Sequence, residues 1–347
     1  MKIAIDVSPL SSGHKVRGVG FYIEYLKRSL LKYFPENEYN FFTKNEEIEK
    51  NVDIVHYPYF DPFFLTIPII RKHKTVVTIH DLTPIIFPNH FPPGIKGKLI
   101  WKMQKYNLRT VNSLLTDSLT SQKDIASILK IKKKKINVAY LAAAEEFKKL
   151  EAGKWRDAIL KKYNLPEKFI LYVGDVTWNK NIPSLIEAVK EINLTLVIVG
   201  KALSEKKIDT ENPWNKDLVT AQKMMQGDKR FISLGFVPTS DLVALYNIAT
   251  VFVFPSIYEG FGLPVLEAMQ SGCPVVLSKE GTMKEIGGDA AFYVNPFNIN
   301  SMANGIGEVF FTKKLRKQLS EKGLVQATKF CWEKTAQKTI EAYKRAL

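Results

Sequence analysis

The segment Val251-Phe-Val-Phe-Pro-Ser-Ile-Tyr-Glu-Gly-Phe-Gly-Leu-Pro-Val-Leu-Glu-Ala-Met-Gln-Ser-Gly272 reads as a strand, a glycine-containing loop and a helix in direct succession. Its first four residues form an apolar run of the length that buried strands have. Pro264 suits the first turn of a helix, where no backbone N–H is needed, and Gly272 can cap the far end. The segment therefore predicts a βα unit that carries two carboxylates, Glu259 and Glu267.

The loop of this unit has the features of an anion-binding site. Gly260 and Gly262 allow the backbone to approach a ligand closely. The N–H groups at a helix start suit a diphosphate, and a carboxylate is a good acceptor for a sugar diol. Glu259 before the site and Glu267 one turn inside it predict a ligand with sugar, phosphates and ribose in a row. The alternative is that both acids only complement the helix dipole.

Strands and helices alternate along the whole chain. The pattern begins at 2–7, closes a first set of strands at 136–141 and restarts at 169–173. Such alternation indicates parallel sheets flanked by helices, with ligands at the carboxyl ends of the strands. With 347 residues, about two domains are expected. We predict an α/β protein with two Rossmann-like, doubly wound lobes that face a central cleft.

Composition and motifs exclude several classes. Hydrophobic residues are 46% and charged residues 24%, as in an ordinary folded protein. Cys273 and Cys331 make neither a disulfide framework nor a zinc set. The sequence has no membrane-length apolar run, secretory signal pattern, Walker A motif, His-Glu-x-x-His or Gly-x-Ser-x-Gly. Gly18-Val-Gly20 lacks the third glycine of a dinucleotide fingerprint. We expect a cytoplasmic protein.

The net charge is +15 and the isoelectric point is near 9.5. An excess of base can favour nucleic acid or the anionic face of a membrane. The interpretation that we favour is a lysine-rich proteome, because lysine is spread along the chain and only 132–135 form a dense cluster. No nucleic-acid partner is expected, and peripheral contact with the inner face of a membrane stays open.

The stretch from Glu259 to Glu267, a glutamate, seven residues and a second glutamate, is similar to the motif of the retaining family-4 glycosyltransferases. The resemblance covers nearly the whole chain, and the segment that begins at His80 resembles the mannosyltransferase-like branch. The further matching segments are Arg17-Gly-Val-Gly20, His80-Asp-Leu-Thr-Pro84, Val173-Gly-Asp-Val-Thr-Trp-Asn-Lys-Asn181, Gly287-Gly-Asp-Ala-Ala291 and Phe330-Cys-Trp332.

This resemblance implies the two-lobed GT-B fold. Residues 1–165 would form the N-terminal, acceptor-side lobe, and residues 166–331 would form the nucleotide-sugar donor lobe. By the family pattern, the amphipathic helix 332–347 crosses back and completes the first lobe. The hinge would then lie near 142–165 and 330, and lobe closure would assemble the donor site.

The resemblance also implies residue roles. Glu259 would contact the transferred sugar, Glu267 the ribose hydroxyls, and Lys180 would neutralise the leaving diphosphate. His80 would face the donor sugar from the other lobe, assisted by Asp81. The remaining positions are Gly260, Phe261, Gly262, Leu263, Asn179 and Gly174 for donor binding, and Gly18 and Gly20 in the loop that closes over the pocket.

One departure concerns the leaving-group site. The family usually places an arginine beside the lysine, at positions that are Asp175 and Asn179 here. The departure is compatible with weaker leaving-group stabilisation, a different donor or lost activity. Arg230 and Lys201 are candidates to replace the missing cation.

The resemblance implies a retaining hexosyltransferase that uses a nucleotide sugar and a glycan or lipid-linked acceptor. GDP-mannose is the first candidate donor, from the branch resemblance only. No cofactor and no metal are expected, because backbone amides and Lys180 would meet the developing charge and no Asp-x-Asp pair stands out. The alternatives are a nucleotide-sugar epimerase on the same fold and a catalytically weak sugar-nucleotide-binding protein.

Two further features have structural interpretations. Thr282 and Glu285 fit a capping box, Thr-x-x-Glu, at the start of the next helix. The aromatic residues between Tyr57 and Phe64 form a cluster that would be part of a core or would hold an acceptor lipid or sugar.

Overall fold

The computed structural model describes residues 1–13, 18–44, 46–205 and 208–347. The chain divides into two compact units, Met1–Ala142 with Phe330–Leu347, and Ala143–Lys329. Each unit contains a six-stranded sheet whose paired strands are parallel, with helices between most successive strands. The predicted α/β class with two doubly wound sheets is therefore confirmed.

The sheet of the first unit has the order β2-β1-β3-β4-β5-β6. Its strands are β1 (Lys2–Asp6), β2 (Glu38–Phe42), β3 (Ile54–Tyr57), β4 (Lys74–Thr78), β5 (Ser113–Thr116) and β6 (Ile136–Val138). Its helices are α1 (Gly18–Tyr33), α2 (Thr83–Ile86), α3 (Gly94–Thr110), α4 (Leu119–Leu129) and the C-terminal helix (Trp332–Ala346).

The C-terminal helix packs on the first unit through an apolar face. Trp332, Ala336, Ile340 and Tyr343 recur at helical spacing and are buried. Trp332 stacks on Tyr25 with ring centroids 5.3 Å apart. The Tyr343 hydroxyl lies 2.7 Å from Nδ1 of His56, whose pKa burial lowers to about 3.

The sheet of the second unit has the order β12-β11-β10-β7-β8-β9. Its strands are β7 (Ile170–Val173), β8 (Leu196–Val199), β9 (Phe231–Gly235), β10 (Val251–Phe254), β11 (Val275–Ser278) and β12 (Ala291–Val294). Its helices are α5 (Trp155–Lys162), α6 (Ile182–Glu191), α7 (Lys216–Met225), α8 (Thr239–Ile248), α9 (Leu263–Gln270), α10 (Met283–Gly287), α11 (Ile299–Phe311) and α12 (Lys313–Ala327).

The division between the units lies at 142/143, whereas the sequence analysis placed it at 165/166. Residues 143–165 contain no strand and are placed by contacts with α8. The backbone N–H of Leu150 donates to Oδ1 of Asn247 over 2.8 Å, and the Asn247 amide donates to the Lys148 carbonyl over 2.9 Å. The rings of Phe147 and Tyr246 meet edge to face.

The order of strands reverses between β7 and β10 in the second unit. From β7 the chain moves outward through β8 and β9, then returns to β10 on the other side of β7. Ligands of open parallel sheets bind at the carboxyl ends of the strands where the order reverses. The loops that follow β7 and β10 therefore define where a site is expected in this unit.

Within the described residues, no helix combines the length and the apolar character that crossing a bilayer requires.

Candidate active site

The loops after β7 and β10 are joined by an ion pair between two predicted site residues. Lys180 ends the short 3-10 turn Trp178–Lys180, and its Nζ lies 2.7 and 2.8 Å from the two carboxylate oxygens of Glu259. The side chains are only 20% and 11% exposed, so solvent screens the pair weakly. The ammonium group also lies 5.4 Å from the centre of the Phe254 ring.

Asn179 fixes the two loops to each other. Its side-chain N–H donates to the Tyr258 carbonyl over 2.9 Å, and its backbone carbonyl accepts from the N–H of Ile257 over 2.7 Å. The hydroxyl of Thr177 donates to the amide oxygen. Asn179 is thus placed at the predicted site, but both ends of its side chain hold protein groups. The structure gives it the role of keeping Lys180 and Glu259 in register.

The start of α9 is built on Gly262. This residue has φ 118°, and a Cβ there would lie 2.9 Å from Cε of Met283, so glycine is required by conformation and favoured by space. Gly260 and Phe261 precede it, and Leu263 begins the helix. The first N–H groups of a helix have no partner inside it, and they favour an anion at this end. The loop therefore places a helix start, whose N–H groups favour an anion, directly after Glu259 of the Lys180–Glu259 pair.

Thr282 supports the loop from the adjoining segment. Its hydroxyl donates to the carbonyl of Phe261 over 2.9 Å and lies 3.3 Å from that of Glu259. The predicted capping box is wrong at this residue, since the Thr282 side chain makes no capping hydrogen bond to α10. The reason is geometric, because Thr282 has helical backbone angles (φ −76°, ψ −9°) instead of the extended backbone of a capping residue, and its hydroxyl faces the loop carbonyls rather than the N–H groups of α10.

Glu267 lies one turn into α9 and bonds to a tyrosine. The hydroxyl of Tyr246 donates to Oε2 of Glu267 over 3.0 Å. Burial raises the pKa of Glu267 to about 7, although the bond from Tyr246 works in the opposite direction. Burial and the nearby Glu267 together raise the pKa of Tyr246 well above its ordinary value. Glu267 is therefore a carboxyl group that titrates near neutral pH.

The ends of β7 and β8 approach each other at two glycines. Gly174 has φ 152°, and a Cβ on Gly200 would lie 2.1 Å from the Gly174 carbonyl oxygen. A side chain at 200 would therefore displace the loop that leads to Lys180. Gly200 is a site-supporting residue that the sequence analysis did not identify, and its signal is a glycine directly after a strand.

The two candidate replacements for the missing arginine lie at opposite ends of the sheet. Arg230 precedes β9, where it pairs with Asp228 over 2.6 Å and bonds to Oδ1 of Asn193. Lys201 follows β8 at the carboxyl edge, where it is largely exposed and lies 3.7 Å from Glu205. Arg230 is therefore excluded as a second cation at this site, and Lys201 remains at the correct edge. The side chain of Asp175, at one of the family's arginine positions, is exposed.

In the first unit, His80 follows β4 and pairs with a residue that the sequence analysis missed. Its Nδ1 lies 2.6 Å from Oδ2 of Asp117, which follows β5. Burial lowers the pKa of His80, but the charge of Asp117 and the hydrogen bond to it prevail, and the net pKa is raised. Nε2 of His80 makes no hydrogen bond within the part of the chain that the structure describes. Asp117 could have been identified from the sequence, because it is an acid directly after β5, the strand next to β4.

The other predicted residues of this unit are Asp81, next to His80 in the sequence, and the two glycines 18 and 20, which lie in a helix rather than in the predicted loop. Oδ1 of Asp81 accepts from the N–H of Thr83 over 2.8 Å, which holds the start of α2. Gly18 and Gly20 lie in the first turn of α1, and a Cβ on Gly18 would meet no atom within 4 Å. Arg17 lies outside the described residues.

Among the described residues, no group of three or more His, Cys, Asp or Glu side chains is arranged to hold a metal ion.

Comparison with known proteins places the chain among glycosyl transferases. Residues 156–326 match the family model described as glycosyl transferases group 1. The chain is 30% identical over 284 residues to the O-antigen chain mannosyltransferase B of Escherichia coli, covering 79% of this chain and 71% of that protein.

Two further proteins are similar in part or in fold. The serotype-specific mannosyltransferase WbdA of Escherichia coli is 29% identical over 279 residues, but the chain spans only about a third, 34%, of its length. A crystal structure of Anabaena Alr3699/HepE in complex with UDP-glucose aligns with a TM-score of 0.72 at 18% identity, over 98% of both chains.

Proposed function

We propose a reaction for this chain, which belongs to the group 1 glycosyl transferases and is therefore a glycosyltransferase. It transfers a hexosyl unit from a nucleotide sugar to a glycan or lipid-linked acceptor, with retention of configuration. The observation that carries the proposal is the Lys180–Glu259 pair beside the start of α9, at the point where the strand order reverses. GDP-mannose is the proposed donor, supported by mannosyltransferases among the relatives, including the two described above. The neighbour solved with UDP-glucose supports the nucleotide-sugar class.

The charges of the site match those of the reaction. Glycosyl transfer leaves positive charge on the sugar and additional negative charge on the departing diphosphate. Lys180 and the N–H groups at the start of α9 would stabilise the diphosphate where its charge develops. When Lys180 turns to the diphosphate, the Glu259 oxygens become available to the sugar hydroxyls. Because these groups supply the electrostatic stabilisation, our proposal needs no metal and no side-chain nucleophile.

The test of this proposal is a thermal-shift screen of nucleotide sugars. A ligand at 100 times its dissociation constant stabilises a protein by about 2.7 kcal/mol, which corresponds to several degrees in Tm for a unit of this size. We expect such a shift with at least one nucleotide sugar and none with the matching sugar phosphate, which lacks the nucleoside.

Two outcomes of this experiment contradict the proposal. If no nucleotide or nucleotide sugar moves the melting curve, the donor site is assigned wrongly. If a ligand binds and an incubation without acceptor yields the epimerised sugar, the protein is an epimerase.

Asp117→Asn is expected to reduce kcat about tenfold. This factor corresponds to the lower end of the free-energy range for losing a hydrogen bond to a charged group. The charge of Asp117 and its hydrogen bond raise the pKa of His80, so the removal of Asp117 lowers that pKa. If His80 acts as the protonated donor, the descending limb of the pH–rate profile then moves to lower pH. Glu47→Gln, which removes an exposed acid from the same unit, is the control. A kcat loss with an unmoved profile would show that Asp117 has only a structural role.

A further inference from the structure

The first unit exposes a row of large apolar side chains on α3. Ile95, Leu99, Met103 and Tyr106 are all exposed, and Ile95 reaches 84%. At 3.6 residues per turn they fall within an arc of about 80°. The opposite side of the helix is the buried one, with Gly97, Gln104 and Leu108 facing the protein.

The loop before β4 extends this row. Its exposed large apolar residues are Phe64, Leu65, Ile69 and Ile70. The buried side chain of Gln104 holds the loop against α3, because its amide donates to the carbonyls of Asp61 over 2.6 Å and Phe64 over 2.7 Å. The eight exposed large apolar residues of the loop and the helix thus form one surface, which we call the apolar ridge. An exposed apolar patch of this kind marks an interaction site.

The exposed charge around the apolar ridge is basic. Between residues 61 and 117 the sequence has eight Lys and Arg residues and three acids, none of which is exposed, whereas the whole chain has 50 basic and 35 acidic residues. Lys98 and Lys102 flank the ridge on one side of α3, Lys96 lies on the other, and all three are exposed. The pattern is that of an amphipathic helix with a basic margin.

We propose that the apolar ridge docks this protein on an anionic lipid bilayer, with α3 lying in the plane of the interface. The ridge residues would enter the boundary between headgroups and acyl chains, and the lysines would contact acidic headgroups. A groove of about 560 Å³, whose lining includes Ile95, Lys98 and Trp101, adjoins the ridge and offers room for an acyl chain.

Two other occupants fit less well. A second copy of the chain would bring two basic surfaces together across a symmetric interface, which is unfavourable. Nucleic acid would use the lysines but would leave the exposed aliphatic side chains without a role. The inference does not depend on the donor chemistry proposed above, since it involves only the surface of the first unit.

The experiment is flotation of the full chain with vesicles of phosphatidylcholine, with and without phosphatidylglycerol. We expect binding only to the anionic vesicles, and weaker binding at high salt. Lys98→Glu with Lys102→Glu should weaken binding at least about 25-fold, since each lysine near the surface contributes about fivefold. Lys313→Glu with Lys314→Glu on α12 makes the same charge change elsewhere and should bind like wild type.

A second pair of variants tests the apolar contribution. Leu99→Ser with Tyr106→Ser should abolish flotation, whereas Phe311→Ser with Val325→Ser, which removes two exposed apolar residues from the second unit, should not. An unchanged thermal shift with nucleotide sugar in every variant shows that the fold and donor site are intact.

Three results would overturn the proposal. One is the absence of binding to anionic vesicles, and another is an equal loss in the ridge variants and their controls. The third is that wild type binds no vesicles but instead forms a dimer in solution or binds an oligonucleotide, and that the ridge variants lose this dimer or this binding. Such a result would assign the ridge to a second copy of the chain or to nucleic acid.

Discussion

Lys180→Ala is expected to lower kcat by about 10²- to 10³-fold, the range for removing one preorganised group that stabilises developing negative charge. Among the residues that the structure describes, Lys180 is the only cation paired with Glu259, and the family's arginine positions hold Asp175 and Asn179. The loss should fall on kcat more than on KM, because the diphosphate gains charge as its bond to the sugar breaks. The measurement is steady-state transfer from the donor that the thermal-shift screen identifies.

The control for this variant is Lys201→Ala. Lys201 is an exposed lysine at the neighbouring strand end, so the variant makes the same charge change at the same edge of the sheet. We expect less than a tenfold loss, and a larger one would assign Lys201 the role of the family's second cation. Since Lys180→Ala leaves the carboxylate of Glu259 without its partner, the Tm of the variant is measured beside its kcat, and an unchanged Tm assigns the loss to catalysis rather than to fold stability. A kcat of Lys180→Ala within about fivefold of wild type would show that Lys180 does not stabilise the leaving group.

The central strands and the site loops could be predicted from the sequence because each is decided locally. The interior strand β10 is apolar throughout, and the helix after it begins with Gly262 and Pro264. Such segments look alike in any parallel sheet that is covered on both faces. Two of the four edge strands, β2 and β12, were not predicted. Their residues are mostly half-exposed. Glu38 and Asn40 interrupt the apolar pattern of β2, whereas β12 is a short apolar run, Ala-Phe-Tyr-Val, of a kind that does not distinguish a strand from a helix.

What the sequence could not provide were the contacts between distant segments. The pair of His80 and Asp117 joins residues 37 positions apart, and the bond from Tyr246 to Glu267 joins neighbouring helices. Each requires the order of strands or helices, which no local pattern contains. The same holds for residues 143–165, since their unit is decided by contacts with Asn247 rather than by composition.

Glu267→Ala is expected to raise the dissociation constant of the nucleotide by about 10- to 100-fold while leaving the fold intact, in the range of a hydrogen bond to a charged group. The proposed role of Glu267 is to accept from the ribose hydroxyls, and titration calorimetry with the nucleotide measures the change. The matched control is Tyr246→Phe, which removes the hydroxyl that donates to Glu267 and keeps the ring. An unchanged affinity in Glu267→Ala would exclude contact with the ribose.

The pH dependence of nucleotide affinity provides an independent test of the same carboxyl group. Its pKa is raised from 4.5 to about 7, so affinity in wild type should fall as the pH is lowered through about 7, when a proton occupies one of the accepting oxygens. The unliganded protein should show the opposite trend. Between pH 4.5 and about 7 the folded state holds a proton that the unfolded state has lost, and the free energy of unfolding therefore decreases as the pH rises. Glu267→Gln cannot titrate and should show neither trend, so parallel pH curves for wild type and Glu267→Gln would contradict both assignments.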